Sequence, residues 1–346
     1  MVEKVRTPKR KYTMVDIAKK LGISPTAVSM AIRNTNGVSV ELRNKILKAA
    51  EEMDYTPALA AQMLRSRNTG HLGLYIPINA EDLEGRSMPA IAYFVSQCEL
   101  NNYSYHIELE GDNHNFKPPS QLAARIVDGA LFYGKQNPQL LNWLANNPQY
   151  KWVNIIEKSE YCVLSDNKYG IYQAVEHLAA LGHRKIAFAY CDLQYDVHST
   201  ALAGYRKAVS DFNLCCDDYL EAGIDTKKGF LCFDEIDRWV DHILQDVRRP
   251  TAIICNDHKM VNSLIVRAAY KGIRVPEHLS LISYGVKSLA EHTYPLVTTI
   301  ESDYNTIMEK GIGMLIRLIE NQHVYEKQIK VIPKLVKRDS VGPVSK

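Results

Sequence analysis

Four side chains between Thr26 and Arg33 have the chemistry to contact nucleic acid and follow one another at helical spacing. Thr26 and Ser29 offer hydroxyls, Met30 offers a thioether, and Arg33 offers a cation for phosphate or guanine. A short helix that begins at Pro25 would present all four on one face, opposite an apolar face. Such a helix can lie in a major groove and touch base edges.

Local signals predict the elements that would position this helix. Thr13 and Asp16 have capping-box spacing for a first helix, and Gly22 supplies the turn after it. Ser24 caps the second helix, with Pro25 at its first position. Asn36-Gly37 predicts a turn before a third helix capped by Ser39. Nine apolar residues should form the core of this small domain: Ile17, Leu21, Val28, Ile32, Leu42, Ile46, Leu47, Ala50 and Met53.

The charge of the chain is unevenly distributed. Residues 1–70 contain 13 Lys and Arg against 6 Asp and Glu, whereas residues 71–346 contain 29 against 33. A basic N-terminal region on a nearly neutral protein is typical of a module that binds a polyanion. A solvated basic tail would explain the cations before Tyr12, but not Arg33, Arg43 or Arg65.

Several classes of protein are disfavoured by composition. No apolar run approaches the ~20 residues of a membrane span, and no apolar stretch follows the basic N-terminus, so we expect neither a membrane segment nor a signal peptide. Seven dispersed cysteines, without a CxxC pair, predict reduced thiols in a cytoplasmic protein. The sequence contains no recognisable catalytic set or metal-ligand spacing, so we expect no enzyme, no cofactor and no metal.

After about residue 70 the pattern changes to apolar strands that alternate with helices, including predicted helices at Ser120–Ile126, Thr200–Phe212 and Phe230–Leu244. Buried strands joined by helices predict parallel sheets covered on both faces. About 270 residues is too many for one such sheet, so we expect two lobes with a cleft between them. Four strand ends should point towards that cleft: Ile78, Cys191, Asn256 and Tyr284.

The order of these features resembles the LacI/GalR family of transcriptional regulators. The resemblance is carried by the helix-turn-helix, the run Asn-Thr-Asn-Gly-Val-Ser from Asn34 to Ser39, Met-Asp-Tyr-Thr-Pro from Met53 to Pro57, and Ala61-x-x-Leu64-Arg65. It implies an α/β protein with an all-α head, a short hinge helix and a two-lobed body like the periplasmic sugar-binding proteins. The expected division is a disordered basic tail at 1–11, a helix-turn-helix domain at 12–56, a hinge at 57–70, and an effector-binding and dimerisation domain at 71–346.

The resemblance also implies a role for particular residues on DNA. Pro25, Thr26, Ser29, Met30 and Arg33 would read a half-site, although most relatives carry Asn at the position of Arg33. Thr13, Ser24 and Asn34 would contact phosphates. In the hinge helix, which includes Ala61 and Arg65, Leu64 would open a base step in the minor groove. A homodimer on a two-fold symmetric double-stranded operator is expected, acting most simply as a repressor, with activation left open.

The predicted effector cleft departs from the family. Sugar- and purine-binding relatives carry an Arg and an Asp where this chain has Ala201 and Gly285, so an ordinary sugar effector is disfavoured. The effector would be less polar or a protein co-regulator, or the cleft would be unliganded. The candidate contacts are Arg86, Ser87, Met88, Asp166, Tyr195, Asn256 and Tyr284.

Two rival interpretations remain at this stage. A two-lobed α/β solute-binding protein would share the body, and an α/β enzyme would share its cleft. Neither explains the basic helix-turn-helix head.

Overall fold

The computed structural model describes residues 12–32, 37–53, 55, 68–77, 88–110, 116–224, 226, 227, 230, 231, 233–245, 248–285 and 292–344. The chain divides into two compact units, Met1–Thr69 and Gly70–Lys346, here called the head and the body. The predicted tail at 1–11 and most of the predicted hinge, 56–67, lie outside the described residues. No helix in the described ranges is both long enough and apolar enough to cross a membrane.

The described part of the head contains three helices: α1 (Met14–Leu21), α2 (Pro25–Ile32) and α3 (Val40–Glu52). The predicted caps are confirmed. Thr13 and Asp16 form a reciprocal capping box, and Gly22 ends α1 with a φ of 66°. The Ser24 hydroxyl accepts from the Ala27 amide at 3.1 Å, and the Ser39 hydroxyl accepts from the Leu42 amide at 3.3 Å.

The core of the head follows the predicted pattern except on α3. Ile17, Val28 and Ile46 are fully buried. Leu47, which we expected in the core, is 45% exposed, and Ala49 is buried instead. Positions 46 and 49 are three apart and share a helix face, whereas position 47 is rotated by about 100° from position 46. The predicted inclusion of Leu47 is therefore wrong.

The body contains two six-stranded sheets, as the alternating pattern predicts. The strands of the first sheet are β1 (His71–Pro77), β2 (Ser104–Glu110), β3 (Gly129–Tyr133), β4 (Lys151–Ile155), β5 (Cys162–Ser165) and β13 (Gln328–Val331). Those of the second are β6 (Ile186–Tyr190), β7 (Glu221–Gly223), β10 (Ala252–Cys255), β11 (Ser280–Gly285), β12 (Thr298–Glu301) and β14 (Lys334–Val336). A separate hairpin pairs β8 (Thr226–Lys227) with β9 (Phe230–Leu231).

The strand order is β13-β5-β4-β3-β1-β2 in the first sheet and β14-β12-β11-β10-β6-β7 in the second. Within the two sheets the pairings are parallel apart from antiparallel β14 on β12.

Helices cover both faces of each sheet. The first lobe consists of the first sheet with α4 (Met88–Leu100), α5 (Ser120–Ala123), α6 (Pro138–Ala145) and α11 (Tyr304–Ile319). The second lobe consists of the second sheet with α7 (Asn167–Ala180), α8 (Asp196–Asp211), α9 (Phe233–Gln245) and α10 (His258–Tyr270). Separate apolar clusters fill the space on the two sides of each sheet, so every central strand is buried on both faces.

The chain passes between the lobes three times. The crossings join β5 to α7, β12 to α11 and β13 to β14. Each crossing has only one or two residues between the two elements, so three short segments, here called the interlobe crossings, join the lobes.

Some predicted boundaries are wrong for local reasons. The helix expected at Thr200 begins four residues earlier, at Asp196, and the helix expected at Ser120–Ile126 ends at Ala123. Phe230–Leu231 forms a strand, and the next helix begins at Phe233. The sequence pattern missed α6 and the four-residue strand β5, because each apolar run is short.

Candidate nucleic-acid interface and effector cleft

The first turn of α2 is the exposed part of the predicted DNA-reading surface. Pro25 and Thr26 are exposed, while Val28 and Ala31 face the core of the head. Met30 is half-buried, and its sulfur would lie 3.0 Å from a Cβ built at Gly37. Because φ is 116° at Gly37, in the left-handed region, position 37 favours glycine. The side chains at the start of a recognition helix are those that reach base edges.

Ser29 is not on an open face as the spacing predicted. It is only 8% exposed, because α2 packs against both α1 and α3 and its solvent-facing side is correspondingly narrow. The predicted exposure of Ser29 is therefore wrong, and its contact with DNA stays a prediction.

Thr13 lies directly before α1, as the N-cap of that helix. Its amide and its hydroxyl contact the Asp16 carboxylate at 2.8 and 2.7 Å, and it is exposed. A phosphate contact at this end would use the local geometry that the capping box holds in place. The other predicted DNA contacts, at Arg33, Asn34, Ala61, Leu64 and Arg65, lie outside the described residues.

In the body, a buried amide lies at the carboxyl end of β10, where the sequence predicts the cleft. Asn256 is fully buried, and its Nδ2 lies 2.8 Å from Nδ1 of His198 on the first turn of α8. Its Oδ1 is buried and has no hydrogen-bond partner among the residues that the structure describes. A buried amide oxygen without a partner costs about 1–3 kcal/mol, so the arrangement favours a group that could donate to it.

His198 was missed by the sequence reasoning. The helix was expected to begin at Thr200, which would have placed His198 in a loop. The helix begins at Asp196, so His198 lies on the first helical turn and is only 7% exposed. The acidic Asp196, directly after Tyr195, was the signal for an earlier helix start that could have revealed it.

Tyr195, one of the predicted cleft residues, stands beside His198. Their rings meet edge to face, with centroids 6.2 Å apart and planes at 87°. On the other side Lys135, which follows β3 in the first lobe, places its Nζ 5.4 Å from the Tyr195 ring centroid. Lys135 Nζ also donates to the backbone and side-chain oxygens of Gln194, both at 3.1 Å.

A second contact joins the lobes at the same place. Glu157, which follows β4, accepts from the amide of Asp196 at 3.2 and 3.4 Å. Burial raises the pKa of the Glu157 carboxyl, and the Asp196 amide opposes that shift. Lys135 and Glu157 of the first lobe thus hold the start of α8 in the second lobe.

Tyr284 and Asp166 lie at the chain crossings. The Tyr284 hydroxyl contacts Ser165 at 2.9 Å, Ser302 at 2.8 Å and the Asn167 Oδ1. Ser302 donates to Ser165 at 3.0 Å. The hydrogen bonds can therefore form one chain in which Ser302 donates to Ser165, Ser165 to Tyr284, and Tyr284 to Asn167. The Asp166 carboxylate caps α7 by accepting from the Tyr169 amide at 3.2 Å.

The remaining predicted cleft residues are separated from this cluster or undescribed. Met88 is 50% exposed at the start of α4. Arg86 and Ser87 lie outside the described residues. The structure therefore brings together Asn256 and Tyr195 through His198, and it places the Tyr284 hydroxyl at the interlobe crossings.

Ala201 and Gly285 differ in how much space surrounds them. Ala201 is fully buried in the core between α7, α8 and the second sheet. A Cβ at Gly285 would meet the His258 Cβ at 3.5 Å and the Ser283 Oγ at 3.6 Å, which are ordinary contacts. Neither the backbone nor the space for a Cβ demands glycine at 285.

No three of the described histidines, cysteines and carboxylates converge as ligands of one metal ion.

Two family models match the chain. The model for bacterial regulatory proteins of the lacI family matches residues 13–58, and that for a periplasmic binding protein-like domain matches residues 175–341. The HTH-type transcriptional repressors PurR of Escherichia coli and Shigella boydii are each 27% identical over 342 residues, covering 95% of this chain and 97% of the relative.

Solved structures show the same fold over nearly the whole chain. The Lac repressor dimer bound to operator and the anti-inducer ONPF has a TM-score of 0.80 at 20% identity, with 96% of this chain and 100% of that chain covered. The complex of the transcriptional regulator CelR with cellobiose has a TM-score of 0.68 at 20% identity, with 95% and 100% covered.

Proposed function

Since the chain belongs to the LacI family of bacterial regulatory proteins, we propose that it represses transcription by binding a two-fold symmetric operator as a homodimer. The observation that carries this proposal is the pairing of a capped helix-turn-helix head with a two-lobed, periplasmic-binding-protein-like body in one chain. A ligand in the interlobe cleft would control binding, and the protein would act in the cytoplasm. The relatives of this chain are transcription repressors and not enzymes.

The head would read DNA through the exposed first turn of α2. Thr26 and Met30 would contact base edges from α2. Pro25, Ser29 and Arg33 would complete the DNA-reading surface. Thr13, Ser24 and Asn34 would fix the register on phosphates. The excess of positive charge in residues 1–70 supports this assignment.

The segment between head and body would act as a hinge helix. We place it at 57–70, between a head at 12–56 and a body at 71–346, with the basic tail at 1–11. The division of the chain at Thr69 and Gly70 supports this partition. Leu64 would enter the minor groove and open a base step, flanked by Ala61 and Arg65.

The edge of the first sheet supports dimer formation. β2 is the outer strand of that sheet, and Tyr105, Ile107 and Leu109 alternate along it on one face. These side chains are 41%, 37% and 47% exposed. Three large apolar side chains in a row on a sheet edge favour burial against a second copy.

The cleft would bind an effector that differs from an ordinary sugar, or the body would respond to a protein co-regulator. A matched Arg and Asp could grip vicinal hydroxyls, but Ala201 and Gly285 supply neither. In a thermal-shift screen, common mono- and disaccharides are expected to leave the melting temperature nearly unchanged. Strong stabilisation by glucose, galactose or cellobiose would contradict this part of the proposal.

The proposal is tested by selecting bound sequences from random duplex DNA with the full-length chain. The expected result is one enriched motif with two mirrored half-sites, bound by two chains in sedimentation analysis. A motif without symmetry, or no enrichment above the starting pool, would overturn it.

A further inference from the structure

The Asn256–His198 pair defines one hydrogen-bond direction at the carboxyl end of β10. Asn256 Nδ2 lies 2.8 Å from His198 Nδ1, and both side chains are at least nine-tenths buried. An amide NH₂ group has donors only, so the ring nitrogen that it contacts must accept. A neutral imidazole that accepts at Nδ1 carries its proton at Nε2.

The other amide atom of Asn256 is left with unused capacity. Its Oδ1 is buried and unpartnered within the part of the chain that the structure describes. An amide oxygen accepts and cannot donate. A molecule that satisfies this atom must therefore present a hydroxyl, amino or amide N–H group.

His198 is itself held in place from outside its own lobe. Its ring meets the edge of Tyr195, and Tyr195 lies under Lys135 of the first lobe at 5.4 Å. The α8 turn that carries both rings is fixed by Glu157, whose carboxylate accepts from the Asp196 amide. The orientation of the His198 ring thus depends on contacts that cross between the lobes.

We propose that His198 is a positioning residue that sets the polarity of the effector site: it holds the Asn256 amide so that Oδ1, and not Nδ2, meets the effector. The inference rests on the proposed function only in that the cleft binds an effector. It assigns that effector a hydrogen-bond donor at this atom and excludes a carboxylate or phosphate oxygen there. The reverse protonation of His198 would turn the amide around and select an acceptor instead.

The experiment records nitrogen resonances of ¹⁵N-histidine-labelled, full-length protein without effector or DNA at neutral pH. His198→Gln identifies the His198 signals by their loss, and it keeps an oxygen that can accept from Asn256. The expected wild-type spectrum has His198 Nδ1 unprotonated and Nε2 protonated. A proton on Nδ1, with or without one on Nε2, would overturn the proposal.

Asn256→Asp supplies the matched test of direction. Aspartate has no N–H to give, so His198 is expected to gain a proton on Nδ1 and become an imidazolium beside the new carboxylate. An unprotonated Nδ1 in a folded Asn256→Asp variant would also overturn the assignment. If that variant does not fold, the wild-type spectrum still decides. A failed DNA selection would leave the spectrum unaffected, so the two proposals fail separately.

Discussion

The hydrogen bonds that shape the head and those that line the cleft differ in how far they reach along the chain. In the head, Thr13 with Asp16 and Ser24 with Ala27 are three residues apart. In the body, His198 and Asn256 are 58 apart, and Ser165 and Tyr284 are 119 apart. The head therefore presents a surface that short segments build, while the body brings together side chains that are distant along the chain.

This difference predicts two kinds of sensitivity. Among the candidate DNA contacts, Pro25 and Thr26 are exposed, so their substitution should change recognition and leave folding largely intact. In the body, His198, Asn256 and Tyr284 are buried and join distant segments, so their substitution should change the stability of the body as well as its response to ligand. The following variants test that contrast.

The largest effect is expected for Ile46→Ala in the head. Ile46 is fully buried, and losing such a side chain costs about 2–5 kcal/mol. A domain of roughly 45 residues has little stability in reserve, so peptides from the head should lose their protection in hydrogen-exchange mass spectrometry. The neighbouring Leu47→Ala is the control, because Leu47 is 45% exposed. Equal loss of protection in both variants would contradict the described core.

In the body, Gly204→Ala should lower the free energy of unfolding by about 3 kcal/mol, the upper end for overpacking. A Cβ at 204 would lie 2.2 Å from the backbone oxygen of Lys168, where α7 and α8 pack closely. Gly313→Ala, also helical, meets nothing within 4 Å and should be neutral or slightly stabilising. Urea unfolding followed by tryptophan fluorescence measures both, since Trp143, Trp152 and Trp239 all lie in the body. Similar midpoints for the two variants would refute the close helix contact.

At the interlobe crossings, Tyr284→Phe should lower the free energy of unfolding by about 1–3 kcal/mol, because Asn167 Oδ1 would lose its donor in a buried site. The same fluorescence measurement applies. Tyr294→Phe is the matched control, since Tyr294 is 93% exposed and should change little. A Tyr284→Phe variant as stable as wild type would show that the hydroxyl chain contributes nothing across the crossings.

The smallest effect is expected for Glu157→Gln and depends on pH. Burial raises the pKa of Glu157 above its ordinary value of 4.5, so the folded chain binds this proton more readily than the unfolded chain. The free energy of unfolding that Glu157 contributes therefore falls as the pH rises from below 4.5 through the raised pKa. Glu157→Gln should be more stable than wild type near neutral pH, and the difference should shrink in mild acid.

The midpoints of urea unfolding, measured near neutral pH and in mild acid, check this prediction. Glu160→Gln, at a side chain that is 64% exposed and paired with Lys327, serves as control. A difference from wild type that grows in acid would mean that the sign is wrong.

The same contrast explains what the sequence could predict. Capping residues act within one turn, so Thr13, Gly22, Ser24 and Ser39 were recognisable from spacing alone. Strand and helix alternation predicted two parallel sheets because both faces of each strand are buried. The exposure of Leu47 and the burial of Ser29 depend on how the three helices are rotated against one another, which apolar spacing specifies only to within about one residue.

The cleft was less accessible to such reasoning. Asn256 was identified from its place at a strand end and from family resemblance, but its partner His198 comes from another helix with no local signal to connect them. Tyr284 was expected to face a ligand, and only the crossing of three segments shows that its hydroxyl contacts Ser165, Ser302 and Asn167. Pairs of this kind follow from the tertiary arrangement of the lobes.

The most direct test of the account is to repeat the DNA selection with Thr26→Ala, using Val40→Ala as the control. Both side chains are exposed on the head, but only Thr26 lies on the first turn of α2. The motif selected by Thr26→Ala is expected to lose base preference at one position in each half-site, and the two positions should be related by the two-fold symmetry of the operator. Val40→Ala is expected to select the wild-type motif. An unchanged motif with Thr26→Ala, or a change in one half-site alone, would contradict the claim that two copies of this helix read the operator.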